Sequence, residues 1–197
     1  MGTPAFVSAL LLSFAMASPA AAQMTPLERQ RLAAHLEMTA SWLSDELSGL
    51  SRAQLDFRRA PGTWSILEVL DHLVVVGDIY WTDLQKGLAT PLSGRTLRNQ
   101  DTDILWYGID RTNRETALAS EDPRGALRDG ATGLAEYRKQ HARLLQYVRT
   151  TNDDLRTRYV ERQRCDAYQW ALLISTRVQR HLLQIREIKA DPKFPKT

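Results

Sequence analysis

The sequence lacks several features that would point directly to a function. Cysteine occurs once, at Cys165, so the chain has neither an intramolecular disulfide nor a CxxC spacing for a redox or zinc site. No block of lysines and arginines is found among the 197 residues, and the formal net charge is only +3. Zinc-finger and RNP sequences are also missing. These absences predict that nucleic acid is not a partner.

A signal for β-structure is missing as well. No alternation of apolar and polar residues is long enough for a sheet, and residues 23–197 contain no internal repeat or low-complexity segment. Hydrophobic residues make up 43% of the chain and charged residues 25%, a balance typical of globular rather than disordered proteins. The composition therefore predicts one globular domain over residues 23–197.

The first 22 residues carry no charged side chain, unlike the rest of the chain. Residues 5–17 read AFVSALLLSFAMA, an apolar run too short to be a permanent membrane anchor but typical of the core of a signal peptide. Small residues follow at 18–22, which read SPAAA and offer a cleavage site. We therefore expect a protein exported to the periplasm or secreted, beginning near Gln23 after cleavage and keeping no stable membrane anchor.

Apolar residues recur at helical spacing in four long segments. The segments run over about residues 25–50, 65–87, 134–149 and 166–189. Between the second and third, residues 88–133 are punctuated by proline and glycine and predict only one or two short helices, around residues 103–118. The pattern predicts an all-α fold: an antiparallel up-down four-helix bundle with a long central connection, preceded by a signal peptide.

Ionisable side chains interrupt the faces that are predicted to be buried. At about 100° of rotation per residue, Arg177 and His181 fall within the apolar stripe of the fourth helix. Glu68 and His72 fall within that of the second, and His141 within that of the third. Taken singly, a core histidine is more often a hydrogen-bonded core residue than a ligand, because burial requires a partner. The convergence of three histidines, a carboxylate and an arginine predicts a polar site at the bundle centre.

Three stretches of the sequence resemble a known family. Residues 64–73 read WSILEVLDHL, and residues 166–192 begin with DAYQW and continue through RHLLQI to KADP. The stretch over residues 47–58 contains LSGLS and LDFR. These motifs resemble the DinB-like family, and with the third helix the resemblance covers nearly the whole mature chain. It implies a four-helix bundle, commonly dimeric, with a central divalent-metal site; several relatives are thiol-dependent transferases.

The resemblance also implies which residues would hold the metal. The family uses one histidine on the second helix and an HxxxH pair on the fourth. His72 and His181 match two of these positions, whereas Arg177 stands at the first position of the pair. A guanidinium stays protonated and cannot ligate a metal. Two histidines are fewer ligands than zinc or nickel normally takes, so the metal site is altered in this chain.

Three arrangements of the altered site follow. In the favoured one, Arg177 replaces the charge of the metal, pairs with Glu68 and hydrogen-bonds His72 or His181. In the second, His141 supplies a third metal ligand from the third helix. In the remaining one, zinc or nickel binds weakly. The first arrangement predicts little or no bound metal.

These arrangements lead to different functions. The favoured function is an exported binding or structural protein of undefined activity, because the low-molecular-weight thiols used by related transferases are cytosolic. The alternative is a metal-dependent hydrolase or transferase with His72, His141 and His181 as ligands and Glu68 as base or outer-shell partner. A third hypothesis is a carrier in which Arg177 clamps the carboxylate or phosphate of a small anionic ligand.

The fourth helix also predicts a contact between copies of the chain. Leu172 and Leu183 fall on its outward face, where a solvated helix is normally polar. Exposed leucines of this kind often mark an interface, which favours a homodimer. Coverage of the two leucines by the long central connection is the other interpretation.

Overall fold

The computed structural model of the protein describes residues 23–113 and 116–196, so the signal peptide predicted over residues 1–22 lies outside the described residues. The described helices are α1 (Pro26–Leu47), α2 (Arg52–Asp56), α3 (Ile66–Leu88), α4 (Asp101–Tyr107), α5 (Gly130–Thr150) and α6 (Ala167–Lys189). Strands β1 (Tyr159–Val160) and β2 (Cys165–Asp166) form a small antiparallel pair. Short 3-10 turns cover Ala119–Glu121, Leu155–Thr157 and Glu161–Gln163. The prediction of an all-α fold is confirmed.

The long helices begin where side chains satisfy their free amides. The side chains of Ser65 and Asp166 accept from the third backbone N–H of α3 and α6, respectively, in capping boxes. Asp129 caps α5, which therefore begins four residues before the predicted start at Leu134. Helix α1 ends at Leu47 rather than Leu50 because Ser48 leaves the helical conformation with a ψ of 130°, and Gly49 then continues the turn with a left-handed φ of 70°.

Each of the four long helices packs against two of the others. Helix α1 contacts α5 and α6, and α3 contacts the same two helices. Their apolar faces form two buried clusters, and both α3 and α6 contribute to each. Trp170 is fully buried and donates its indole N–H to the carbonyl of Tyr80 at 2.9 Å, which joins α6 to α3. None of the helices in the described part of the chain has the length and apolarity needed to cross a membrane.

The central connection lies against α6 through α4. Ile104 of α4 and Leu172 of α6 are each 4% exposed and belong to the same apolar cluster. Leu183 is half-buried. The expectation that Leu172 faces outward is therefore wrong: this side chain is buried within the chain itself, in the cluster to which the central connection contributes Ile104.

Arg156 fastens the connection to the helices around it. Its guanidinium donates to Glu28 at the start of α1 (2.6 Å) and to Asp101 at the start of α4 (3.0 Å). It also donates to Asp166, the cap of α6, at 3.0 Å, and lies 3.8 Å from the centroid of the Tyr168 ring. Burial raises the pKa of Asp166 to about 6 although Arg156 favours the ionised form. This network fixes α4, and with it the chain segment that reaches the site.

Candidate functional site

His72 of α3 and His181 of α6 meet between the two helices. Their ring centroids lie 4.7 Å apart, with an angle of 62° between the rings. The indole of Trp64, just before α3, lies 4.9 Å from the His72 ring and 6.5 Å from the His181 ring. The structure therefore brings together the two histidines that the sequence places in one site.

The carboxylate of this site is Glu121, a residue that sequence reasoning missed. Its side chain is 4% exposed, and Oε2 accepts from Nη2 of Arg177 at 3.2 Å. Oε1 accepts from Nη1 of Arg162 at 3.2 Å and from the Tyr80 hydroxyl at 3.1 Å. The backbone carbonyl of the same residue lies 2.6 Å from Nδ1 of His72. Glu121 thus holds the arginine through its side chain and the histidine through its backbone.

The predicted pairing of Arg177 with Glu68 is wrong, because Glu68 is used at the start of its own helix. Its Oε2 accepts from the backbone N–H of Ser65 at 2.8 Å, which completes the capping box of α3. Nη2 of Arg58 donates to Oε1 at 2.6 Å. These bonds hold the Glu68 carboxylate at the start of α3. The carboxylate that pairs with Arg177 is that of Glu121 instead.

His141 does not join the other two histidines. Its Nε2 lies 3.0 Å from the carbonyl oxygen of Leu36 on α1, and its ring packs against Tyr137 at 5.8 Å between centroids. The predicted convergence of three histidines is therefore wrong. Within residues 23–113 and 116–196, no group of three or more His, Cys, Asp or Glu side chains is placed to hold a metal ion.

The divalent metal implied by the family resemblance does not fit this donor set. His72 and His181 supply two imidazoles, and a guanidinium, Arg177, lies beside them. Burial is the main cause of the lowered pKa of both histidines, and the charge of Arg177 lowers each pKa further. A dication would meet the same repulsion from Arg177 and would find two protein ligands where zinc normally takes three or four.

A cavity of about 480 Å³ lies next to the histidines. Among the described residues, four guanidinium groups and three carboxylates line it: Arg59, Arg111, Arg177, Arg180, Asp122, Glu187 and Asp191. Nε of Arg111 donates to Glu187 at 2.7 Å, whereas Arg180 donates to the backbone carbonyls of Tyr107, Asp110 and Asn113. The carbonyl dipoles around Arg180 do not cancel the full charge of its guanidinium. His72 and His181 add no charge, because their lowered pKa values favour the neutral rings. The described lining side chains therefore carry one more positive than negative charge, before the Glu121 carboxylate behind Arg177 is counted.

Arg177 also borders a second, smaller cavity of about 40 Å³, which is mainly apolar. Among the described residues, the Tyr137 hydroxyl and Oε1 of Gln140 in its wall find no hydrogen-bond partner. With these two polar atoms in its wall, a space of this size can hold one or a few water molecules. Arg177 therefore lines both a large charged cavity and a small, mainly apolar one.

The fold and the site define an all-helical protein with a histidine–arginine–glutamate centre beside a basic cavity. The sequence model of the DinB superfamily matches residues 19–185, and the chain belongs to that superfamily. The family predicted from the sequence motifs is thereby confirmed. The chain is also similar to the uncharacterized protein YuaE of Bacillus subtilis (strain 168), with 26% identity over 148 residues that cover 74% of this chain and 89% of YuaE. No solved structure matches it significantly.

Proposed function

We propose that this protein is an exported binding protein of the DinB superfamily that takes a small anionic ligand in its basic cavity. In this proposal the Arg177–Glu121 ion pair stands where the family would hold a metal, and the protein carries no metal or only weakly bound zinc or nickel. The observation that carries the proposal is the position of Arg177, held by Glu121 at 3.2 Å and lining the 480 Å³ cavity beside His72 and His181.

The arginines suit an anion for two physical reasons. A guanidinium offers a planar set of donors that matches the geometry of a carboxylate or phosphate. Arg177 is already oriented by Glu121, so less side-chain entropy is lost when a ligand binds. Arg111 and Arg59 both approach Glu187, at 2.7 and 3.7 Å, and an incoming anion would share these donors. The volume lies within the range typical of small-molecule sites, about 300–1,000 Å³.

Two further parts of the proposal concern architecture and export. The packing of α1 and α3 each against α5 and α6 supports an antiparallel up-down four-helix bundle, with residues 88–133 as the long connection. The apolar, uncharged segment over residues 1–22 supports export after cleavage. We expect the intact mass of the exported protein to correspond to a chain that begins at or near Gln23. A mass that includes residues 1–22 would contradict export by cleavage.

One observation favours the alternative, a metal-dependent hydrolase or transferase. Nδ1 of His72 is bound to a backbone carbonyl, an arrangement common among metal-ligating histidines because it fixes the ring and its tautomer. The alternative would require an additional ligand from outside the described residues, and it would have to place a metal beside the charge of Arg177. Metal analysis separates the two functions.

The anion-binding proposal predicts a loss of affinity when one cavity arginine is neutralised. Isothermal titration of the wild type with phosphate, succinate and mandelate should detect binding of at least one of these anions. Arg111→Gln should weaken that binding about tenfold or more, because a charge-assisted hydrogen bond contributes roughly 1.5–3 kcal/mol.

Arg149→Gln is the matched control for this experiment. Arg149 pairs with Glu37 on the surface, with about half of each side chain exposed, and does not line the cavity. The control should bind the anions like the wild type. Equal losses in Arg149→Gln and Arg111→Gln, or no binding of any of the three anions, would refute the proposed function.

A further inference from the structure

One acceptor atom of His72, a residue that lines the cavity, has no hydrogen-bond partner among the described residues. The carbonyl oxygen of Glu121 only accepts hydrogen bonds, so Nδ1 of His72, 2.6 Å away, carries the proton of the neutral ring. The lone pair therefore lies on Nε2. This nitrogen is buried, and no donor reaches it from any of the described residues.

The surroundings of the His72 ring leave this atom unsatisfied by any described residue. The ring is 1% exposed, and a positive charge on a ring so buried would be poorly solvated, which favours the neutral form. Trp64 and His181 pack on the ring at 4.9 and 4.7 Å, and Glu121 occupies its Nδ1 side. A buried acceptor without a donor costs free energy, and that cost is recovered when a ligand supplies the missing hydrogen bond.

We infer that the ligand is a hydroxycarboxylate, an acid whose hydroxyl donates to Nε2 of His72 while its carboxylate accepts from Arg177. The inference rests on the proposed anion-binding function and specifies its ligand class. His72 and Arg177 are both held by Glu121 and both line the cavity, so one small molecule with adjacent donor and anionic groups can meet both. An ammonium donor is disfavoured because the arginines outnumber the carboxylates among the described lining residues.

Pairs of acids that differ only in the hydroxyl test this inference on the intact wild-type protein. Titration calorimetry would compare mandelate with phenylacetate, malate with succinate, and lactate with propionate. The hydroxylated member of at least one pair should bind about tenfold tighter, which corresponds to about 1.4 kcal/mol. The O-methyl ether of mandelate keeps the oxygen but has no donor, and it should bind like phenylacetate.

A variant assigns the preference to His72. His72→Phe keeps a ring of similar shape without nitrogen, so it should still bind these acids through the arginines but lose the preference for the hydroxyl. Trp64 lies against the His72 ring, and its fluorescence should therefore respond to the hydroxylated acids; Trp64→Phe identifies that part of the signal.

The outcomes separate this inference from the proposed function. Equal binding of the hydroxy acids, the acids that lack the hydroxyl and the O-methyl ether would overturn the hydroxycarboxylate inference. If Arg111→Gln weakens the binding of all of them, the anion-binding function still stands. If a hydroxyl preference persists unchanged in His72→Phe, the assignment to His72 is overturned. If no acid binds, the proposed function fails and the inference fails with it. If His72→Phe does not fold, the wild-type protein alone provides the test. Equal binding of mandelate and its O-methyl ether would then overturn the hydroxycarboxylate inference.

Discussion

Glu121→Gln is expected to lower the free energy of unfolding by about 3 kcal/mol. Glutamine has nearly the same shape but no charge, so Arg177 and Arg162 would lose the carboxylate that they share at 3.2 Å. The Glu121 side chain is 4% exposed, and removal of one partner from a buried ion pair leaves an uncompensated charge in a poorly solvated place. Urea denaturation followed by circular dichroism measures the change.

Glu161→Gln provides the matched control, because it makes the same substitution in an exposed ion pair. Glu161 pairs with Arg95 at 3.1 Å, with 80% and 42% of the two side chains exposed. Exposed pairs contribute little, so this variant should change the free energy of unfolding by less than about 0.5 kcal/mol. Similar stability losses in the two variants, or no loss in Glu121→Gln, would show that the Glu121 carboxylate does not hold the site together.

Arg177→His is expected to create metal binding. The change restores the HxxxH spacing with His181, one helical turn apart, beside His72 at 4.7 Å from His181. The pKa values of His72 and His181 are lowered, so both rings are neutral at pH 7 and need not release a proton to ligate. Three neutral imidazoles suffice for a zinc site with one open position.

Thermal unfolding with and without zinc measures this gain. Zinc at about 1,000 times its dissociation constant stabilises a folded protein by about 4 kcal/mol, and a chain of this size should then melt roughly 10 °C higher. Arg177→Met is the control: it removes the same charge without adding a ligand and should show no zinc-dependent shift. Equal responses of Arg177→His and Arg177→Met would mean that position 177 does not face His72 and His181 as a ligand would.

The proposed exchange of metal for arginine would change what the site can do chemically. A bound dication accepts electron pairs and lowers the pKa of a coordinated water, which generates a nucleophile. A guanidinium has no such capacity: it donates hydrogen bonds and stabilises negative charge in a fixed plane. The Arg177–Glu121 pair therefore favours recognition of an anion over activation of water, which agrees with the proposed function.

The helices and part of the site could be predicted from the sequence because their signals are local. Ser65 and Asp166 mark the starts of α3 and α6 in the sequence, and both are the N-cap residues of these helices in the structure. His72 and His181 sit on the apolar faces of long periodic segments, so helical register alone directs both towards the interior. Their meeting at 4.7 Å follows once α3 and α6 pack together.

The remaining parts of the site depend on contacts that no local pattern records. Glu121 lies in an irregular connection, and its position depends on Arg162 and Tyr80, residues 41 positions away in sequence. The Ser-x-x-Glu pattern of Ser65 and Glu68 did indicate that Glu68 would not reach Arg177. The pattern is the signature of a capping box, in which the glutamate side chain bonds to the start of its own helix. The position of His141 depends on how α5 packs against α1, where the His141 ring meets the Leu36 carbonyl. The periodicity of α5 does not specify that packing.

Metal content of the wild-type protein is the most direct test of the replacement of metal by Arg177. Plasma mass spectrometry on protein purified without an affinity tag should find well under one equivalent of zinc or nickel, and His141→Ala should leave that content unchanged. A full, tightly bound equivalent of metal in the wild type, lost in His141→Ala, would contradict the replacement and favour the metalloenzyme.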